Sequence, residues 1–106
     1  MSQVFLNGRI TPASDAKINI DDSSFLYGIG LFETMRAVGG RVFRLDDHLN
    51  RLIASAAALS IANSYTPKQV REAVGRLLQA NELTEARLRL TLTNGSLGVR
   101  QNQQSP

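Results

Sequence analysis

The sequence has no cysteine and no tryptophan, and His48 is its single histidine. Without cysteine the chain can form no disulfide and can offer no thiolate to zinc. One histidine does not build a histidine-rich metal site. We therefore expect a protein that binds no metal and whose fold depends on noncovalent packing.

Long apolar runs are also missing. No stretch approaches the roughly 18 apolar residues that a membrane-spanning helix needs. The opening segment, MSQVFLNGR, lacks the charged-then-apolar order of a signal peptide. The sequence accordingly predicts a cytoplasmic protein with no membrane partner.

Positive charge is present but is not concentrated. Twelve basic residues oppose nine acidic ones, for a net charge of +3, and ten of the twelve are arginines spread along the chain. A nucleic-acid-binding arm would show a basic run, so no nucleic-acid partner is expected. Arginine pairs bidentately with phosphate and carboxylate, which favours small anionic ligands. With 42% hydrophobic and 20% charged residues, the composition predicts one folded domain, residues 1–106.

The first element predicted along the chain is a β-hairpin. Residues 4–6 and 9–10 favour strands, and Asn7-Gly8 between them favours a type I′ turn. Residues 14–24 are mostly polar and predict a loop.

A second hairpin is predicted after an apolar segment. Residues 25–30 contain two glycines, which indicates a backbone that bends or is closely approached. Residues 31–38 and 41–45 then flank Gly39-Gly40, a strong turn signal between strands.

Two helices and a strand are predicted in the second half. A helix over residues 47–59 can take Asp46 or Asp47 as its N-cap, and one over residues 67–80 begins with a capping box. Residues 86–93 alternate between apolar and polar side chains, which is typical of a half-buried strand. The fold class predicted is α+β, a mostly antiparallel sheet of hairpins with two helices on one face.

Three patterns are candidates for binding. His48, Arg51 and Ser55 fall on one face of the predicted helix, where an arginine can hold a phosphate; the alternative is a solvated helix face. Arg87 and Arg89 point the same way along a strand and can receive a carboxylate; the alternative is an exposed sheet face.

The third pattern is the glycine-containing stretch from Tyr27 to Glu33. It is not a dinucleotide-binding fingerprint, because Glu33 stands where the third glycine belongs and the segment opens a hairpin. The alternative to a functional role is a glycine-bent strand that packs Tyr27 and Phe32 in the core.

Taken in order, these segments resemble the class IV aminotransferases, which are fold-type IV pyridoxal-phosphate enzymes. The family includes branched-chain aminotransferases, D-amino-acid aminotransferases and aminodeoxychorismate lyases. The resemblance covers residues 4–98 and is carried by LNGR, FLYG, GLFET, GRVFRLDDHLNRL and RLRLTLTNG. It implies the N-terminal small domain of such an enzyme.

The resemblance also implies residue roles. Arg51, in the H-x-x-R-L motif, would bind the phosphate of pyridoxal 5'-phosphate. Tyr27 and Phe32 would line the substrate pocket, and Arg89 would lie near the substrate. Glu33 and His48 match pattern residues, for which we expect structural roles.

No catalytic residue is expected in this chain. In the family, a lysine of the following, larger domain holds the cofactor as a Schiff base, and neither Lys17 nor Lys68 matches its position. We therefore expect a fragment that lacks the catalytic domain and is inactive alone.

The activity expected of the parent enzyme is transamination of a small, branched-chain-like amino acid by a homodimer. One alternative is 4-amino-4-deoxychorismate lyase, because Thr34 follows Glu33 where many branched-chain enzymes have glycine. The other is a non-catalytic module that dimerises or binds a ligand.

Overall fold

The computed structural model describes residues 2–95. It opens with an antiparallel hairpin of β1 (Gln3–Leu6) and β2 (Arg9–Pro12), followed by a short 3-10 turn at Ala13–Asp15. Asn7 and Gly8 both have positive φ, 50° and 91°, as the predicted type I′ turn requires. The first hairpin prediction is confirmed.

The main sheet has three antiparallel strands in the order β4-β3-β5. They are β3 (Gly30–Val38), β4 (Arg41–Val42) and β5 (Ala86–Thr93). Eight residue pairs join β3 to β5, from Gly30 opposite Thr93 to Ala37 opposite Ala86. The long ladder makes β3 and β5 the main strand pair of the sheet, with β3 in its centre.

Two helices cover one face of this sheet and its flank. Helix α2 spans Leu45–Ala58 and contacts β3, whereas α3 spans Pro67–Ala80 and contacts β1 and α2. The capping box of α3 is present, since the Gln69 amide donates to Thr66 Oγ1 and the Thr66 amide donates to Gln69 Oε1. The core lies between the sheet and the helices, and it includes a buried cluster of Met35, Ala37, Leu78 and Leu88. The α+β class is confirmed, with the strands divided between two sheets.

The opposite face of the main sheet is exposed. Alternation along β3 and β5 turns the odd-numbered residues of β3 and the even-numbered residues of β5 towards the helices. The other set forms what we call the open face: Phe32, Thr34, Arg36, Arg87, Arg89 and Thr91, all exposed. The predicted alternation of residues 86–93 is thus confirmed.

The loop predicted over residues 14–24 is largely confirmed, since residues 16–21 lie between the 3-10 turn and a one-turn helix, α1 (Ser23–Tyr27). Gly28 ends α1 in a left-handed conformation at φ 67°, so the bend indicated by the glycines of residues 25–30 is confirmed, but the segment begins as a helix and not as a strand. Tyr27 and Phe32 are not core residues, since they are 65% and 57% exposed.

The second hairpin is shorter than predicted, and α2 begins earlier. Strand β4 stops at Val42 because Arg44 adopts a left-handed conformation and becomes the N-cap of α2. Asp46 and Asp47 therefore lie inside the first helical turn, where negative charge favours the helix dipole, and neither caps the helix. Within residues 2–95, no helix is long and apolar enough to cross a membrane.

Candidate active site

Glu33 is the centre of a charged cluster between β3 and α2. Arg51 grips its carboxylate with two parallel hydrogen bonds, from Nε to Oε2 at 3.0 Å and from Nη2 to Oε1 at 2.6 Å. His48 Nδ1 lies 2.7 Å from Oε1. Sequence periodicity placed His48 and Arg51 on one helix face, and the structure adds Glu33 as the anion that joins them.

The proton on His48 can be assigned from these distances. Nδ1 lies 2.7 Å from the Glu33 carboxylate and 3.3 Å from Arg51 Nη2. A carboxylate only accepts and a guanidinium only donates, so Nδ1 cannot serve both. The shorter contact indicates that Nδ1 carries a proton and donates it to Glu33.

The cluster keeps Glu33 ionised. Its side chain is only 11% exposed. The hydrogen bond from Arg51 is the main reason that the pKa of Glu33 falls from 4.5 to about 2; burial opposes the shift, and the His48 hydrogen bond adds to it. The same contact raises the pKa of Arg51. Glu33 therefore holds the guanidinium in one orientation at every physiological pH.

Arg51 retains capacity for a second anion. Its side chain is 66% exposed, and its remaining nitrogen, Nη1, makes no hydrogen bond within the described part of the chain. A fixed guanidinium with two free N–H groups suits a phosphate oxygen, so this residue can hold a phosphate group. Ser55, expected on the same face, makes no side-chain hydrogen bond to the cluster in residues 2–95.

Phe32 and Arg89 come together on the open face. The Arg89 guanidinium carbon lies 4.1 Å from the centre of the Phe32 ring, which is cation–π geometry. Phe32 and Glu33 are successive residues of β3, so their side chains lie on opposite faces of the sheet. The predicted site residues thus fall into two groups, which lie on opposite faces of the main sheet.

The open face around Arg89 is strongly cationic. Arg36 and Arg87 stand directly opposite each other on β3 and β5, and together with Thr34 and Glu85 they line a cavity of about 380 Å³. Like charges directly opposite in a sheet repel. Within residues 2–95, neither arginine is in a salt bridge. An anion is the chemical group that relieves this repulsion.

Two buried polar residues that were not predicted lie at the start of the short helix that ends at Tyr27. Asp22 and Ser23 are 6% and 0% exposed and lie at the start of α1, which ends at Tyr27. Asp22 accepts from the Thr93 hydroxyl at 2.9 Å, across 71 residues of chain. The local signal was present, because Asp22 is the N-cap of α1 and accepts from the Ser24 amide.

The two lysines lie away from both groups. Lys17 is exposed in the segment before α1, and Lys68 is exposed in the first turn of α3. Neither lysine is on β3, α2 or β5, the elements that carry the candidate residues.

Comparison with known proteins identifies the family. Residues 30–106 match the family described as amino-transferase class IV. A protein of Methanocaldococcus jannaschii assigned as a branched-chain-amino-acid aminotransferase is 39% identical over 93 residues, which are 88% of this chain and 32% of that protein.

Solved structures share the fold. A branched-chain amino acid aminotransferase of T.th., complexed with N-(5'-phosphopyridoxyl)-L-glutamate, has a TM-score of 0.84 at 25% identity, covering 91% of this chain and 34% of that one. A Legionella pneumophila protein assigned as 4-amino-4-deoxychorismate lyase has a TM-score of 0.74 at 28% identity, covering 79% and 31%. This chain spans about a third of the length of the curated relatives it matches. It belongs to the class IV aminotransferase family.

Proposed function

We propose that this chain is the N-terminal small domain of a pyridoxal-phosphate-dependent aminotransferase that acts on a small, branched-chain-like amino acid. The observation that carries the proposal is the two-point grip of Glu33 on Arg51, which fixes a guanidinium with free N–H groups. Family membership supplies the reaction class.

Arg51 is the residue that would hold the cofactor phosphate. Glu33 orients the guanidinium. His48 donates a hydrogen bond to the Glu33 carboxylate, and this contact weakens the repulsion between that carboxylate and an incoming phosphate. When bound, the cofactor supplies an electron sink for the substrate carbanion. A structure neighbour crystallised with a phosphopyridoxyl group supports this choice of cofactor.

The open face would form one wall of the substrate pocket. Phe32 offers apolar surface to a side chain, while Arg89, stacked on Phe32, offers N–H groups to a carboxylate. Tyr27, the last residue of α1, would close one end of this wall. The repulsion between Arg36 and Arg87 favours a carboxylate on the same face.

The lysine that carries the cofactor would come from residues other than those of this chain. We accordingly propose that the 106 residues alone do not transaminate. The borohydride test is direct: the chain is mixed with pyridoxal phosphate and reduced, and covalent incorporation is measured by mass. Stoichiometric attachment at Lys17 or Lys68 would contradict the proposal. A homodimer and a cytoplasmic location stay predictions.

A lyase is the second candidate. Thr34 follows Glu33, and the protein assigned as an aminodeoxychorismate lyase shares the fold. The full-length enzyme separates the two activities, since a lyase releases pyruvate from aminodeoxychorismate and an aminotransferase consumes a 2-oxo acid. An absence of both activities would favour the non-catalytic module.

Arg51→Ala in the full-length enzyme tests the phosphate site. A charge-assisted hydrogen bond contributes about 1.5–3 kcal/mol, so we expect pyridoxal-phosphate affinity to fall about 10- to 100-fold. Arg76→Ala is the matched control, because Arg76 is an exposed arginine on α3 with no salt bridge in the described residues. Equal cofactor affinity in the two variants would remove Arg51 from the site.

A further inference from the structure

We infer that Asp22 is a positioning residue that sets the place of Tyr27 against the open face. The inference rests on the proposed function and adds a residue outside the expected pocket. It depends on a set of hydrogen-bonded residues that we call the Asp22 latch: Asp22, Ser23, Ser24, Thr93 and Asn94.

The latch joins the start of α1 to the end of β5. One oxygen of Asp22 accepts from the Ser24 amide at 2.9 Å and from the Ser24 hydroxyl at 2.8 Å, and the other accepts from the Thr93 hydroxyl at 2.9 Å. Asp22 is nearly inaccessible to water. One oxygen of Asp22 therefore holds the start of α1, and the other joins it to the end of β5.

Ser23 closes the latch into a ring. Its hydroxyl donates to the Ile29 carbonyl at 2.8 Å and accepts from the Asn94 amide at 2.9 Å, and the Ile29 amide donates back to the Ser23 carbonyl at 3.1 Å. A Cβ added to Gly30 would lie 3.0 Å from the Ser24 Cβ, so the loop is tightly closed at its base. These contacts hold the two ends of residues 23–29 together, so the segment between them has little freedom to move.

The tip of this ring is apolar and exposed. Phe25, Leu26 and Tyr27 are 72%, 47% and 65% exposed. Within residues 2–95, no hydrogen bond restrains the Tyr27 side chain. Its place is therefore determined by the base of the ring.

The latch also lies on the correct side of the sheet. Thr93 follows Thr91 by two residues on β5, so both side chains point to the open face, and Thr91 stands opposite Phe32. Asp22 therefore contacts the open face two residues along β5, about 7 Å, beyond the level of Phe32. Loss of the Asp22–Thr93 bond would let α1, with Tyr27, shift relative to Phe32 and Arg89.

The test uses the full-length enzyme and two substitutions that keep side-chain size, Asp22→Asn and Thr93→Val. We expect the KM for the amino-acid substrate to rise about tenfold in each, with kcat changed less than about twofold and cofactor affinity unchanged. Both substitutions weaken the Asp22–Thr93 contact, and Thr93→Val also removes the acceptor of the Gly95 amide. The double variant should therefore raise the KM by less than the product of the two single effects. Thr93→Ser keeps the hydroxyl that donates to Asp22, so its KM should equal that of the wild type.

Asp46→Asn is the matched control, since it makes the same chemical change at an exposed ion pair with Arg71. A fall in melting temperature with KM unchanged in Asp22→Asn and Thr93→Val would overturn the inference and leave the latch purely structural. Failure of the wild-type enzyme to bind pyridoxal phosphate would instead overturn the proposed function. The two failures are separate because cofactor affinity and substrate KM are measured independently.

Discussion

Glu33→Gln should make the protein less stable at neutral pH and less sensitive to acid. The pKa of Glu33 is about 2 in the folded protein against an ordinary value of 4.5. One pKa unit corresponds to about 1.4 kcal/mol, so the difference sets a ceiling of about 3–4 kcal/mol on the stabilisation. Because 66% of the Arg51 side chain is exposed, solvent screening reduces this, and we expect about 1–2 kcal/mol.

The sign of the pH dependence follows from the lowered pKa. The folded state holds Glu33 ionised more strongly than the unfolded state does, so its contribution is complete above about pH 4.5. It disappears as the pH falls from about 4.5 to about 2. Glutamine does not ionise, so the variant should lose this part of the acid sensitivity.

Urea unfolding at about pH 7 and at about pH 3 measures both effects. Glu72→Gln is the control, because Glu72 is exposed on α3 and has no salt bridge in the described residues. The free energy of unfolding of Glu33→Gln should be lower than that of the wild type at neutral pH, and the gap should narrow in acid. An equal gap at both pH values would refute the role given to the Glu33 charge.

Two further substitutions test the packing and the latch. Met35→Ala removes a core side chain that is 2% exposed, and calorimetry should show that the free energy of unfolding falls by about 2–5 kcal/mol. Val38→Ala, on the exposed side of the same strand, is the control and should lower it by less than about 1 kcal/mol. Similar losses in the two variants would mean that the core does not lie between the sheet and the helices. Ser23→Ala leaves the Ile29 carbonyl and the Asn94 amide without their buried partner, which should cost about 1–3 kcal/mol and speed amide hydrogen exchange at residues 23–29. Unchanged exchange there would contradict the ring.

Local sequence signals predicted the elements whose stabilising contacts are themselves local. The capping box of α3 joins residues three apart, and the turn between β1 and β2 needs only Asn7 and Gly8. The alternation in β5 follows from strand geometry alone. These predictions succeeded because neighbouring residues determine the backbone at each place.

The same reasoning failed where a single residue adopts an unusual conformation. Arg44 lies between β4 and α2 with a positive φ of 55°. Arginine seldom adopts this conformation, so the residue type gave no signal for it. The apolar residues of α1 resemble a core segment, yet they are exposed because the latch holds the segment from its buried polar base. In the second case tertiary contacts outweighed local preference.

The sequence by itself determined the family, the fold class and the helix face that presents His48 and Arg51 together. Only the tertiary structure decided what that face does, because Glu33 approaches it from a strand 18 residues away and neutralises part of its charge. Only the structure also showed that Arg51 lies on one face of the main sheet and that Phe32 and Arg89 lie on the other. The reason is that tertiary packing decides which face of a sheet the helices cover.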